Sequence, residues 1–338
     1  MLKKYPTRRQ FLNYGKLSLL FFLNSCSNSL KKFKIGFQSS IYPKSLKDTL
    51  PAIWKKENIN FSKIKLEKNK TKLSKSDFIL INDGWLNSLN FTSFQNINNL
   101  FSNNILDNRS RDFLKSFKEY QRDKLFPVGV VPYAVIIKNN KDLIYDASNS
   151  WDFLLDEKLN GKIIFPQSPR ILISISEKIS VKNSLSKLKE QAMLFDDKNS
   201  INWLINSPAS VAIIPFSLCE KYLRVDSRLS IVFPNKGVPL MWNFLLTKSK
   251  IKNIVLNDWI KSLYKRATVD ELANQGWYLP FKNKYSQDKY NIKIEKNNYG
   301  PSKNCWENSW SFSPLNKEEQ LSLEKLWNQS LTLSLIHI

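Results

Sequence analysis

From Phe33 onward, short runs of apolar residues alternate with stretches whose apolar positions recur at helical spacing, the pattern of an α/β layered fold. Phe33–Phe37, Ile64–Leu66 and Phe78–Ile81 read as strands, with a helix predicted over Leu46–Lys56 that starts near Pro51. Val128–Lys138 carries the strongest strand signal because it is rich in β-branched residues. Beyond it the pattern predicts a helix at Trp151–Leu155, a strand at Lys162–Phe165 and helices over much of Ile171–Ile205. Strands at Val211–Ile214, Leu229–Phe233 and Leu240–Leu246 follow, then helices at Ile251–Tyr264 and Leu315–Leu331. The Asn-rich stretch Asn87–Asn108 reads as loop and short helix, and no internal repeat is present.

The first residues follow a different order. Lys3, Lys4, Arg8 and Arg9 precede an apolar run at Leu17–Leu23, which ends at Cys26. That run is far shorter than the roughly 20 residues a spanning helix needs, so it reads as an export signal, residues 1–25. Thr7–Leu12, with Arg8 and Arg9, resembles the twin-arginine export signature; a Sec signal with a chance arginine pair is the alternative. Leu23-Asn24-Ser25-Cys26 resembles a bacterial lipobox, which implies lipidation of Cys26 and a polar tether over residues 26–32. The 338 residues less these 25 leave 313, enough for two lobes of about 150 residues each.

The formal charge is +23, and removing Lys3, Lys4, Arg8, Arg9 and Lys16 with the signal leaves about +18. The lysines are scattered along the chain among asparagines and isoleucines, with no basic arm or helix, so nucleic acid is not an expected partner. Cys219 and Cys305 can form one disulfide in an oxidising compartment or stay as two buried thiols; both readings stay open.

Catalytic sets are missing from the pattern. The single histidine is His337, next to the last residue, which leaves no base for a Ser-His or Cys-His pair. No cysteine or histidine spacing suits zinc, and eight glycines include no phosphate-cradling loop, so neither metal nor cofactor is expected. The carboxylate pairs Asp196–Asp197, Asp152–Asp156 and Glu318–Glu319 read as solvated charge. The expectation is a protein that is not an enzyme; a carboxylate-dependent extracytoplasmic hydrolase is the competing class.

Four segments together resemble the spermidine/putrescine-type solute-binding proteins of bacterial ABC transporters, over residues 33–335. They are Ser76–Asn82 with Asp83, Gly84 and Trp85; Trp151–Leu155 continuing to Gly161–Pro166 and Ser168-Pro169-Arg170; Phe233–Pro239 with Trp242 and Asn243; and Gly276-Trp277 with Pro280. The resemblance implies a type II-like periplasmic binding fold of two lobes, each a mixed sheet flanked by helices, with the ligand cleft between them. Residues 33–138 plus about 243–290 would form lobe 1, and about 139–242 plus 291–338 lobe 2. It also implies a periplasmic receptor, expected to be a monomer, that hands a small solute to a permease in the inner membrane; lipid on Cys26 would anchor it, and a soluble periplasmic protein is the alternative without it.

Carried onto this chain, the family's contact positions fall at Gln38, Ser39, Asn82, Trp85, Trp277 and Trp310, with Ser311 beside the last. Ser168 and Ile171 stand where the family carries acids, Met241 and Asn243 where it carries an aromatic residue and an Asp, and Pro215 where it carries a tryptophan. Arg170 is kept without its acidic neighbours. Two ligands fit these residues: a polyamine-like cation held by Asp83 with Trp85, Trp242 and Trp277, or a neutral or anionic molecule such as a carboxylate gripped by Arg170. Trp151, Tyr133 and Trp242 read equally as core, and Trp85 and Trp277 suit a site wall or the core alike.

Overall fold

The apolar stretches assemble into a nine-stranded sheet in a computed structural model that describes residues 33–38, 41–59, 75–97, 105–248, 253–263, 265–282 and 300–332. Its strands are β1 (Phe33–Phe37), β2 (Trp54–Asn58), β3 (Phe78–Asn82), β4 (Phe126–Lys138), β5 (Ile163–Phe165), β6 (Ala192–Phe195), β7 (Val211–Pro215), β8 (Leu229–Val232) and β9 (Leu240–Thr247). The spatial order is β2-β1-β3-β9-β4-β7-β5-β6, with β8 also on β4. The signal and tether, with Arg8, Arg9 and Cys26, lie outside the described residues, as do Ser39, Ile64–Leu66 and His337.

Strand β4 divides the sheet. Phe126–Pro132 pairs antiparallel with β9, while Tyr133–Ile137 pairs with β7 and Val135–Lys138 with β8. On one side lie β1, β2 and β3, with β2 and β3 both parallel to β1 and β3 antiparallel to β9. On the other lie β7, β5 and β6 in parallel. One strand thus belongs to both halves, changing partners between Pro132 and Tyr133. Trp242 lies within β9, which pairs with β3 and β4.

Helices cover each half. Around β1–β3 pack α1 (Lys44–Thr49), α2 (Asn108–Lys115), α3 (Glu119–Arg122), then α9 (Asn253–Leu263) and α10 (Arg266–Asn274). The other half carries α4 (Asp142–Asn149), α5 (Pro169–Ser176), α6 (Ser184–Glu190), α7 (Ser200–Asn206) and α8 (Phe216–Leu223). After α11 (Lys303–Asn308), the terminal α12 (Lys317–Thr332) lies on α5 and α6. Among the described residues, no helix is long and apolar enough to cross a membrane.

Two elements differ from the sequence pattern. The helix expected over Leu46–Lys56 ends at Thr49, whose hydroxyl donates to the Leu46 carbonyl at 2.7 Å, and Pro51 bars its continuation. Trp54–Asn58 instead runs as a strand, Phe33 opposite Trp54, with the Trp54 ring stacked on Phe78 at 4.2 Å. Burial of that indole between sheet and helix outweighs the helical spacing of its neighbours. Likewise Ala192–Phe195, inside the span expected to be largely helical, forms β6 because it completes the parallel pairing of β5. Trp151–Leu155 winds as a 3-10 helix, with Trp151 fully buried and its indole N–H donating to the Gly237 carbonyl at 2.9 Å.

Candidate functional site

Strand ends from both halves converge where β4 changes partners. Asp83 follows β3 directly and opens a 3-10 turn, so its carboxyl sits at the carboxy-terminal edge of the sheet, where open α/β folds hold ligands. The Gly84 N–H donates to Asp83 Oδ1 at 3.0 Å, while Oδ2 is buried without a hydrogen-bond partner. Burial pushes this carboxyl up to about 7, although the Trp242 backbone N–H, the Arg170 guanidinium and the Gly84 N–H pull the other way.

Arg170 comes from the other half, in the first turn of α5. Its Nη2 donates to the Ser313 carbonyl, and its guanidinium lies 5.0 Å from the centre of the Phe312 ring. Burial lowers its pKa, against the opposing charges of Asp83 and Glu319. Asp83 and Arg170 each register the other's charge across the junction of the two halves.

Two residues join them that the sequence reading did not assign to a site. Tyr133, the first residue of β4 to pair with β7, is buried, and burial raises its hydroxyl well above the ordinary value, with the charges of Asp197 and Asp83 adding to the effect. Asp197, in the loop after β6, is half-buried and accepts the Gln167 N–H at 3.0 Å; burial raises its carboxyl. In the sequence Asp197 stands beside Asp196 in a polar stretch, and nothing in that stretch marks its partial burial or its bond from the Gln167 N–H after β5.

The remaining expected residues divide. Asn82 and Asn243 are directly opposite in the β3–β9 register, and Asn243 also pairs with Gly129 of β4. Asn243 is fully buried, its Nδ2 donating to the Met241 carbonyl at 3.4 Å and its Oδ1 without a partner. Met241 and Trp242 are buried in β9; the Trp242 ring stacks on Phe113 at 4.6 Å and its Nε1 donates to Ser311 Oγ at 2.7 Å. Trp242 is thus a core residue whose indole edge reaches the junction. Trp277 is wholly buried, 0 % exposed, with Nε1 donating to the Val128 carbonyl at 3.1 Å and the Tyr42 ring 5.3 Å away. Its ring therefore lies in the core against Gly129 instead of forming a wall. Trp85 and Gln38 are half-buried after β3 and β1, and Ser168 is the half-buried residue preceding α5.

Trp310 is half-buried on an extended strap that crosses the junction. The strap pairs Trp310 with Pro239, offers Ser311 to Trp242 and Ser313 to Arg170, and accepts the Asn87 Nδ2 on the Leu315 carbonyl at 3.4 Å. Trp310 Nε1 is buried without a partner, and Lys178 Nζ lies 5.1 Å from its ring centre. Beside the strap runs an open groove of about 370 Å³, lined in part by Leu86, Phe91, Tyr120, Leu315 and Lys317.

Cys219 and Cys305 are free, buried thiols, and burial raises both, Cys305 to about 12. The disulfide allowed by the sequence is not formed: each thiol is packed within its own helix environment, Cys219 Sγ against the Phe216 carbonyl of α8 at 3.3 Å. No group of three or more potential metal ligands occurs among the described residues.

Solved structures share this architecture. Over 89 % of this chain and 98 % of the other, it superposes on the spermidine/putrescine ABC transporter substrate-binding protein PotD of Streptococcus pneumoniae with a TM-score of 0.60 at 11 % identity. The fold is that of the two-lobed periplasmic binding proteins. The PotD lipoprotein of Treponema pallidum matches with a TM-score of 0.56 at 12 % identity, covering 88 % of this chain and 98 % of that one. A periplasmic thiamin binding protein matches with 0.57 at 11 % identity, covering 88 % and 94 %. No family model and no curated protein sequence matches the chain.

Proposed function

We propose that the chain is the solute receptor of an ABC importer, tethered outside the inner membrane through a lipid on Cys26, and that it takes a small solute bearing a protonated amine into the junction between its lobes. One observation carries the reading: Asp83 Oδ2, at the carboxy-terminal edge of one half of the sheet, is buried without a partner, and its carboxyl feels the charge of Arg170 from the other half. Burying an acceptor without a donor costs a few kcal/mol, a cost that a ligand donor removes. An ammonium group does this best, because it also favours the ionised carboxylate.

The aromatic surroundings suit such a head group. Tyr133 feels the charge of Asp83, and the Lys178 ammonium lies over the Trp310 ring, which supports a cation-accepting face there. The likeness to polyamine receptors supports a polyamine-like solute, and Asp197 supplies a second carboxyl near Tyr133. A ligand touching both lobes favours the closed arrangement by its differential contacts, and closure is what a permease can sense. Such a receptor binds its solute and releases it unchanged.

The test is a melting-temperature screen of the purified chain against amines, amino acids and small carboxylates, since binding to the folded state alone raises the midpoint. An amine-bearing solute raises it in the wild type and fails to do so in Asp83→Asn. A shift that survives Asp83→Asn places the solute elsewhere.

A further inference from the structure

The charges that meet at the junction are of opposite sign, and this limits what the far end of the solute can be. Asp83 presents an unpartnered oxygen from the β3 edge, and Arg170 presents a planar fork of five N–H donors from the first turn of α5. The Ser313 carbonyl takes one bond from Nη2, and the Phe312 ring beneath the guanidinium holds its plane. That mounting fixes the fork without neutralising it, since a carbonyl and a ring face carry no net charge. Nor do Arg170 and Asp83 satisfy each other, because Asp83 Oδ2 has no hydrogen-bond partner although the two charges sense one another.

Resting on the receptor reading above, we propose that the solute is a small zwitterion, an ω-amino acid, whose ammonium group binds Asp83 and whose carboxylate binds Arg170. A guanidinium fork matches a carboxylate with two parallel hydrogen bonds, which an ammonium point charge cannot use. A diamine stretched between the same two groups sets its second ammonium against the Arg170 guanidinium. A dicarboxylate meets the same penalty at Asp83. Among the described residues, Asp197 and Glu319 are the further carboxyls whose charge reaches this site, and each is already engaged, Asp197 by the Gln167 N–H and Glu319 by the Asn316 N–H. Arg170 therefore acts as the specificity-determining residue: the acids missing at Ser168 and Ile171 beside it leave its charge for the ligand.

The test is titration calorimetry of the purified full chain with ω-amino acids from glycine to 6-aminohexanoate, each beside the diamine and the dicarboxylate of the same carbon count. At least one amino acid binds on the order of ten-fold or more tighter than its diamine and its dicarboxylate. Arg170→Met, which keeps the stem over Phe312, abolishes that preference and improves the diamine relative to the amino acid. Melting temperature and circular dichroism of the variant confirm that it folds. A diamine or dicarboxylate that binds tightest in the wild type, or an amino acid affinity unchanged by Arg170→Met, overturns the inference while leaving the receptor reading in place. Absence of binding by all three series overturns the inference; silence of the wider solute screen as well removes the receptor reading.

Discussion

Asp83 ties folding to proton uptake and the binding of an amine to proton release. Burial raises its folded-state carboxyl from 3.8 to about 7, so between those values the folded chain holds a proton that the unfolded chain has released. Its contribution to stability is full below about pH 4 and is lost as pH rises through about 7. Denaturant melts of wild type and Asp83→Asn across that window should show the wild type losing stability relative to the variant as pH rises. The reverse holds for an ammonium-bearing solute, whose affinity should weaken as pH falls through about 7 because the carboxyl must ionise to receive it; calorimetry at several pH values checks this. Trp277→Ala should destabilise by about 3–5 kcal/mol, since it empties a fully buried indole site and orphans the Val128 carbonyl. At this scale the sequence was only partly legible. An acid placed straight after an apolar strand marked Asp83, whereas Asp197 looked solvated beside Asp196, and its partner, the Gln167 N–H, comes from a segment 30 residues away. Aromatic residues in apolar runs suit a core and a ligand wall equally, so only packing separated Trp277 and Trp242 from Trp310.

Elements reveal what holds the junction rigid. Gly129 of β4 lets the Trp277 ring lie against the strand: an ideal Cβ there would stand 2.0 Å from the indole. Gly129→Ala should therefore cost at the upper end of the roughly 1–3 kcal/mol typical of overpacking, read as a lower melting midpoint. Lys189 of α6 fastens α12: its Nζ donates to the Trp327 carbonyl and to Ser330 Oγ and lies 3.5 Å from the Trp327 ring centre. Lys189→Met should speed amide hydrogen exchange in α12 and leave that of β4 unchanged, because the clamp touches the helix alone. Most strands were legible as dense apolar runs, above all β4, which is buried over nearly its whole length. The exceptions were short. β2 carries Lys55, Lys56 and Glu57 with Trp54 as its one buried side chain, and nothing in that pattern separates it from the edge of a helix.

In the whole molecule, two half-sheets share one long strand, and the strap from Trp310 to Leu315 lies over their junction. The α/β layering was legible in alternating apolar runs and helical spacing, while the two-lobed plan came from the chain's length and its resemblance to the receptor family. The place where β4 changes partners was not, since Pro132 and Tyr133 sit inside an unbroken apolar run and only pairing distinguishes them. Motion of the lobes about β4 and β9 is what a receptor needs, and the most direct test is the distance between them. Spin labels at Lys55→Cys in β2 and Lys158→Cys before β5, both exposed on opposite halves, should report a shorter and narrower distance distribution when the solute found by the melting screen is added, and no change in Asp83→Asn. An identical distribution with and without a bound solute would contradict a site shared between the lobes.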